Sequence, residues 1–228
     1  MSGTLSIVAT PIGNLSDITL RAIDTLNSCD LIVCEDTRVT SKLLAGHEIQ
    51  KPLSSIHAHS VDADIRRIVE KLKAGTNVAY VSDAGTPNVN DPGGILAEAA
   101  FEAGITIVPI PGASALTAAM SVCGLPMEHF VYMGFVPHKK GRQTFFNETA
   151  ERKEPTVFLE STYRIDKTLD SLAETLDAER IVFVGRELTK MHETLYRGTA
   201  IAVRDRIHAT SQKGEFVIIV GPKPKQVK

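Results

Sequence analysis

Four carboxylates stand where apolar, strand-like runs of the chain start or stop. The runs 30–35, 156–160 and 180–187 empty into Asp36, Glu160 and Glu187, and Lys213-Gly214-Glu215 opens the run 216–220. A carboxylate fixed at a strand end can accept a proton from a bound hydroxyl, a service typically worth about 10²–10⁴-fold in rate. Two of them also have a plainer role. Asp36, with Thr37 and Arg38, can cap a helix over 39–45, and Glu215 can pair on the surface with Lys213. His57 and His59 would point to one face of a short strand over 53–59. Without a third ligand nearby they are expected to face substrate, and no metal site is expected. His138-Lys139-Lys140-Gly141-Arg142 packs cations around a glycine turn, as a solvated loop or as a nucleic-acid contact.

The elements that must hold these groups are organised around 78–94, VAYVSDAGTPNVNDPGG. An apolar strand, Val78-Ala79-Tyr80-Val81, runs into a loop rich in Gly, Pro, Asp and Asn, and a helix follows from Ile95, with Asp91-Pro92 as cap and first helical residue. Two further strand-like runs, 4–10 and 105–110, end in Pro/Gly turns at Pro11-Ile12-Gly13-Asn14 and at Pro109 to Ala115. Strand ends of this kind form the ligand crevice of open α/β sheets. Through residue 123 the pattern is β-α with short turns, which predicts a parallel sheet covered on both faces. Gly124-Leu125-Pro126 reads as a linker, and the pattern restarts at Phe130 with a more mixed strand order. The expected architecture is two α/β domains, 1–123 and 124–228.

At 228 residues, 43% hydrophobic and 23% charged, the chain has the composition of an ordinary globular protein. No window approaches a membrane span and the amino terminus carries no export signal, so a cytoplasmic protein is expected. Cys29, Cys34 and Cys123 lack CxxC spacing, sit among apolar neighbours and read as core thiols. A net charge of −2 argues against a general nucleic-acid coat, though not against one RNA met through a local basic patch. The common dinucleotide, Walker, zinc-protease and nucleophile-elbow motifs are absent. A Pro/Gly-shaped crevice short of fixed cations suits adenine joined to a zwitterionic tail better than a triphosphate, and S-adenosyl-L-methionine (AdoMet) is such a ligand.

Six ordered motifs carry a resemblance. VATPIGNLSDITLRA at 8–22, CEDTR at 34–38, SDAGTP with DPGG at 82–94, PIPGASAL at 109–116, GRELTK at 185–190 and KGEF at 213–216 resemble the tetrapyrrole (corrin/porphyrin) methylase superfamily. Within it the chain is similar to the small-subunit ribosomal RNA 2′-O-ribose methyltransferases that modify a decoding-centre cytidine. The resemblance implies two α/β domains with AdoMet in the cleft between them, a homodimer, and small-subunit ribosomal RNA or the assembling subunit as partner. It places the cofactor against Pro11, Ala84, Gly85, Thr86, Val89, Ser114, Ala115, Leu159 and Val184. It places Asn14, Asp36, Arg38, Glu160, Arg164, Arg186 and Glu215 on the substrate side; of these Asp36, Glu160 and Glu215 are the strand-end carboxylates expected to assist the transfer. The family pattern is usually Tyr-His-acid-His-Asn where this chain has Ile56-His57-Ala58-His59-Ser60, and Glu-Ser-Pro-His-Arg where it has Glu160-Ser161-Thr162-Tyr163-Arg164. Methylation of a tetrapyrrole carbon and a catalytically silent AdoMet- or RNA-binding module are the alternative readings.

Overall fold

The computed structural model describes residues 1–56, 61–89, 91 and 93–224, and they form two compact units, Met1–Ser114 and Ala115–Lys228. In the first unit β1 (Thr4–Val8), β2 (Leu31–Cys34), β3 (Leu53–Ser55), β4 (Val78–Val81) and β5 (Thr106–Ile110) form one all-parallel sheet in the order β3-β2-β4-β1-β5. The organising strand β4 lies at its centre. All four of its residues are buried, because alternate side chains enter opposite cores. Val78 and Tyr80 pack with Leu5, Ile68, Leu72 and Leu96, while Ala79 and Val81 pack with Val8, Leu26, Ile32 and Leu44. Helices α1 (Leu20–Ser28), α2 (Thr37–Gly46), α3 (Val61–Lys73) and α4 (Gly93–Glu102) connect the strands.

In the second unit β6 (Val131–Phe135) runs parallel to β7 (Thr156–Ser161). β8 (Ile181–Arg186), β9 (Thr194–Thr199) and β10 (Glu215–Val220) join antiparallel, giving the order β6-β7-β10-β8-β9. The parallel sheet and the mixed sheet are those expected. The boundary differs, falling after Ser114 instead of after residue 123. Helix α5 (Ala115–Val122) packs on β10, and the Arg197 guanidinium on β9 donates to the carbonyls of Cys123 and Gly124, so the expected linker is part of the second unit's fabric. Helix α6 (Arg142–Glu151) has no counterpart in the sequence reading. It starts where Gly141 takes φ +84° and buries Phe145, Phe146 and Thr149, an apolar set too short and too crowded to show a helical period. Helices α7 (Ile165–Thr175) and α8 (Ala200–Ala209) pack on each other. All three cysteines are buried and free, as core thiols should be.

Arg180 is 1% exposed, and no salt bridge among the described residues includes it. Its guanidinium donates instead to the carbonyl oxygens of Gly221, Ala150 and Arg152, joining the start of β8 to the end of β10 and the end of α6. Arg180→Leu leaves three inner carbonyls without donors. At about 1–3 kcal/mol for each unsatisfied group, urea unfolding should show a loss of at least about 3 kcal/mol.

Candidate functional site

The Pro/Gly turns of the first unit are held to one another by named hydrogen bonds. Thr10 and Gly85 form an antiparallel bridge beyond the ends of β1 and β4: the Thr10 amide donates to the Gly85 carbonyl (2.9 Å) and the Gly85 amide to that of Thr10 (3.1 Å). The Ser82 hydroxyl donates to the same Gly85 carbonyl (3.1 Å), and the Thr10 hydroxyl to the Ser82 carbonyl (3.2 Å). Gly85 takes φ +85°, and a Cβ there would lie 3.2 Å from Ile12 Cγ2, so the reversal needs a residue without a side chain. The third turn joins through Thr86, whose hydroxyl donates to the Ala113 carbonyl (3.0 Å), while the Ala9 amide donates to Ile110 (3.1 Å). Three strand ends therefore form one rigid rim.

The start of α4 is fitted to that rim. Asp91 Oδ1 accepts from the Gly93 amide (2.8 Å) and from the Tyr80 hydroxyl (3.2 Å), which makes Asp91 the expected cap; Pro92 lies outside the described residues. Burial, with Asp91 and Glu35 nearby, holds the Tyr80 phenol far above its usual range, so it stays a donor. Asn88 adopts φ 72°, and a Cβ on Gly94 would meet its Oδ1 at 2.3 Å.

At the end of β2, Asp36 caps α2 and also carries Arg38. Its Oδ1 accepts from the Arg38 amide (2.8 Å), and its Oδ2 lies 2.6 Å from Arg38 Nη2. The Arg38 guanidinium, 87% exposed, bonds both carboxylate oxygens, and these bonds hold the Asp36 pKa at about 2. Two residues that the sequence reading left without a role complete the corner. Asp83 Oδ1 accepts from the Asp36 amide (3.1 Å) and Glu35 Oε1 from the Asp83 amide (3.1 Å), which ties the end of β2 to the end of β4. Burial pushes the Glu35 pKa up. The signal for both was present: polar residues directly after an apolar strand and before a Pro/Gly turn. Asn14 is exposed and caps the short 3₁₀ turn Leu15–Asp17. His57 and His59, with Ala58 and Ser60, lie outside the described residues, whereas Ile56 is a core residue.

In the second unit Glu160 is fully buried at the end of β7. Oε1 accepts from the Ser161 amide (2.7 Å) and pairs with Arg164 Nη2 (2.8 Å), and Oε2 accepts from the Thr168 hydroxyl (2.7 Å). That hydroxyl accepts in turn from Arg142 (2.9 Å), and Arg164 Nη1 donates to the Val136 carbonyl (2.7 Å). The arginine of the basic patch is thus turned inward, over the Phe146 ring, while His138, Lys139 and Lys140 remain exposed. Arg186 is buried as well. Its guanidinium donates to the carbonyls of Lys213 (2.6 Å) and His192 (3.1 Å) and to Ser211 Oγ (3.1 Å), and so joins two loops rather than facing outward. Val184 packs in the core with no exposed surface, and Leu159 is half-buried on β7.

Glu215 pairs with Lys190 (2.9 Å) rather than with Lys213, and Lys190 also holds Glu187 (3.1 Å). Burial raises the Glu187 pKa, but the Glu215 amide and Lys190 outweigh it and the group ends below the usual range. Lys190 ends above its usual range: burial works against the charge, and the two carboxylates prevail. Glu187 and Thr189 both sit at positive φ, 50° and 64°, and a Cβ on Gly214 would meet Glu187 Cγ at 2.6 Å. No group of three His, Cys, Asp or Glu side chains among the described residues is placed to hold a metal ion.

The rim fits AdoMet by its donor set. Residues 9–14, 82–89 and 109–115 contain no lysine or arginine, but they offer backbone amides, hydroxyls and small side chains. Pro11, Ala84, Gly85, Thr86, Val89 and Ser114 stand together on these turns, with Ala115 opening α5.

Known proteins agree with this picture. The sequence profile of the Tetrapyrrole (Corrin/Porphyrin) Methylases matches residues 4–203. A protein of Xylella fastidiosa called ribosomal RNA small subunit methyltransferase I is 45% identical over 221 residues, 96% of this chain and 81% of the relative. Its namesake in Haemophilus influenzae is 43% identical over 228 residues, 99% of this chain and 81% of the relative. Among solved structures, a uroporphyrin-III C-methyltransferase of Thermus thermophilus superposes with a TM-score of 0.67 at 20% identity, covering 96% of this chain and 94% of its own. A cobalt precorrin-4 methyltransferase gives a TM-score of 0.68 at 16% identity, with the same coverages of 96% and 94%. At these identities the structures speak for the fold alone. The sequence profile and the near-full-length relatives together show that the chain belongs to the tetrapyrrole (corrin/porphyrin) methylase family.

Proposed function

We propose that the protein is an AdoMet-dependent methyltransferase acting on a ribose 2′-hydroxyl of small-subunit ribosomal RNA, at a cytidine of the decoding centre. The observation that carries the reading is the rim of three cation-free turns, pinned to one another at the strand ends, in a chain of this family. Pro11, Ala84, Gly85, Thr86, Val89, Ser114 and Ala115 are the residues that would hold the cofactor. When bound, AdoMet supplies an activated sulfonium methyl group. The chain has to place the acceptor hydroxyl in line with it, and placement of that kind can be worth about 7–11 kcal/mol.

The carboxylates support a mechanism led by placement. Asp36, with a pKa of about 2, is a weak base. Both oxygens of Glu160 are engaged inside the fold, and Glu215 is paired with Lys190. Their role in this reading is to orient Arg38, Arg164 and Lys190 at the strand ends. We further infer a homodimer that works in the cytoplasm, and light scattering at twice the chain mass would support the dimer.

Tritiated AdoMet, offered with undermodified small subunits or with a porphyrin precursor, tests the assignment. Label is expected in ribosomal RNA; label in the porphyrin, or in neither, overturns it. Thr86→Arg removes the bond to Ala113 and puts a long cation on the rim. Calorimetry should show AdoMet affinity falling at least about a hundredfold, or about 2.7 kcal/mol, with the melting temperature nearly unchanged. Asp36→Asn and Glu215→Gln should slow single-turnover transfer by less than about the hundredfold that a positioned base supplies. A larger loss with a displaced pH inflection would assign proton transfer to that residue. Carbon NMR should show the Asp36 carboxylate ionised until pH falls to about 2, and Arg38→Ala should return it toward its ordinary value. Because the folded pKa is the depressed one, this group's contribution to stability is complete above its unfolded pKa and vanishes as pH falls through about 2.

A further inference from the structure

Tyr163 is the most exposed large aromatic among the described residues, at 95%, yet the turn that carries it is pinned on both sides. On one side the Thr162 hydroxyl donates to the Gly214 carbonyl (2.7 Å) and accepts from the Gly214 amide (2.7 Å). On the other, the Arg164 amide donates to the Ser161 carbonyl (3.1 Å), its guanidinium is held by Glu160 and the Val136 carbonyl, and Ile165 is fully buried at the first turn of α7. A ring on a mobile loop would lose conformational freedom on binding a planar partner; this one is presented in advance. A lone exposed aromatic needs no special explanation. The setting of this one is more particular.

Both of its anchors lead to basic loops. Gly214 follows the exposed Lys213, and Val136 precedes the exposed His138, Lys139 and Lys140. An aromatic face flanked by lysines on separate loops has the chemistry of single-stranded RNA binding, in which a base stacks and cations follow the phosphates. We propose that Tyr163 is a stacking platform for an unpaired RNA base, a positioning residue for the substrate. This rests on the ribosomal RNA reading given above. It also gives a use to the position where the chain departs from the family pattern, since tyrosine offers a stacking face where histidine is usual.

The chain contains no tryptophan, so Tyr163→Trp places a single indole reporter on the turn. Undermodified small-subunit ribosomal RNA should quench its emission, with binding followed in parallel by filter retention. Tyr163→Ala should weaken RNA affinity about 5- to 150-fold, the range for the loss of one base-aromatic stack. The salt dependence of binding should stay unchanged, whereas Lys139→Ala should lower the salt slope by about one unit. Tyr163→Phe should restore affinity, and AdoMet binding and melting temperature should not move in any of these variants. RNA retained without quenching, or Tyr163→Ala binding like the parent chain, overturns the platform and leaves the function standing. An indole already blue-shifted in the absence of RNA also overturns it, since the residue then faces a second copy. If RNA is not retained at all, the RNA reading itself fails.

Discussion

The two-way backbone bridge between Thr10 and Gly85 is the constraint on which the first unit's site depends. Parallel strands β1 and β4 would ordinarily diverge where their ladder stops, each leaving unpaired amides and carbonyls. Here the chain beyond β4 reverses at Gly85, in a conformation open to glycine, and pairs with Thr10 in the opposite sense. The Ser82 and Thr10 hydroxyls satisfy the carbonyls that the reversal exposes. Every other feature of the rim is referred to this pair. Thr86 reaches Ala113 because Gly85 is fixed beside it, and Asp83 reaches the Asp36 amide because it lies inside the reversal. The result is a stiff polar edge made almost wholly of backbone, at the carboxyl ends of the sheet where α/β folds take ligands.

The second unit reaches rigidity by a different route. Glu160 is fully buried and surrounded by donors: Ser161, Thr168 and Arg164, with Arg142 behind Thr168. A carboxylate removed from water is tolerable only when its lone pairs are filled in this way, and removing one member would leave the others unpaired in the interior. Arg186 and Arg180 repeat the device with backbone carbonyls as acceptors. Many of the unit's arginines therefore work as internal struts, which leaves lysines and the Tyr163 ring to face outward.

The sequence revealed the strands well and the charges poorly, for physical reasons. β4 was readable to the residue because a strand buried on both faces is apolar at every position, and its end is marked by Ser82 and Asp83. Helix α6 was missed because its start relies on a glycine in the left-handed region and its buried face on two adjacent phenylalanines. Residue 123 looked like a boundary because Gly-Leu-Pro follows it, but Arg197, some seventy positions away in the chain, binds the carbonyls there. The charged residues stand at the strand ends that the sequence marks, but the partners each one finds are not legible there. Nothing local in Gly-Arg-Glu tells whether the arginine meets a ligand or the carbonyls of Lys213 and His192. Glu215 likewise found Lys190 across the sheet end instead of its sequence neighbour.

That contrast bears on how the chemistry can be divided. A cofactor held chiefly by backbone groups depends on turn geometry, which a few glycines, prolines and hydroxyl residues specify and which tolerates change at other side chains. The motifs of the first unit keep those residues, and Asn88 in the loop after β4 adopts the left-handed conformation that asparagine accommodates. A substrate surface depends instead on the side chains that point out of the fold, and there the constraint is weaker. Thr162 shows how such drift can be absorbed. Its hydroxyl both donates to and accepts from Gly214, giving the turn two hydrogen bonds that a proline could not make, so the loop keeps its place while the residue after it is free to differ. On this account turn geometry would specify a cofactor held by backbone groups, and exposed residues on pinned turns would specify the acceptor.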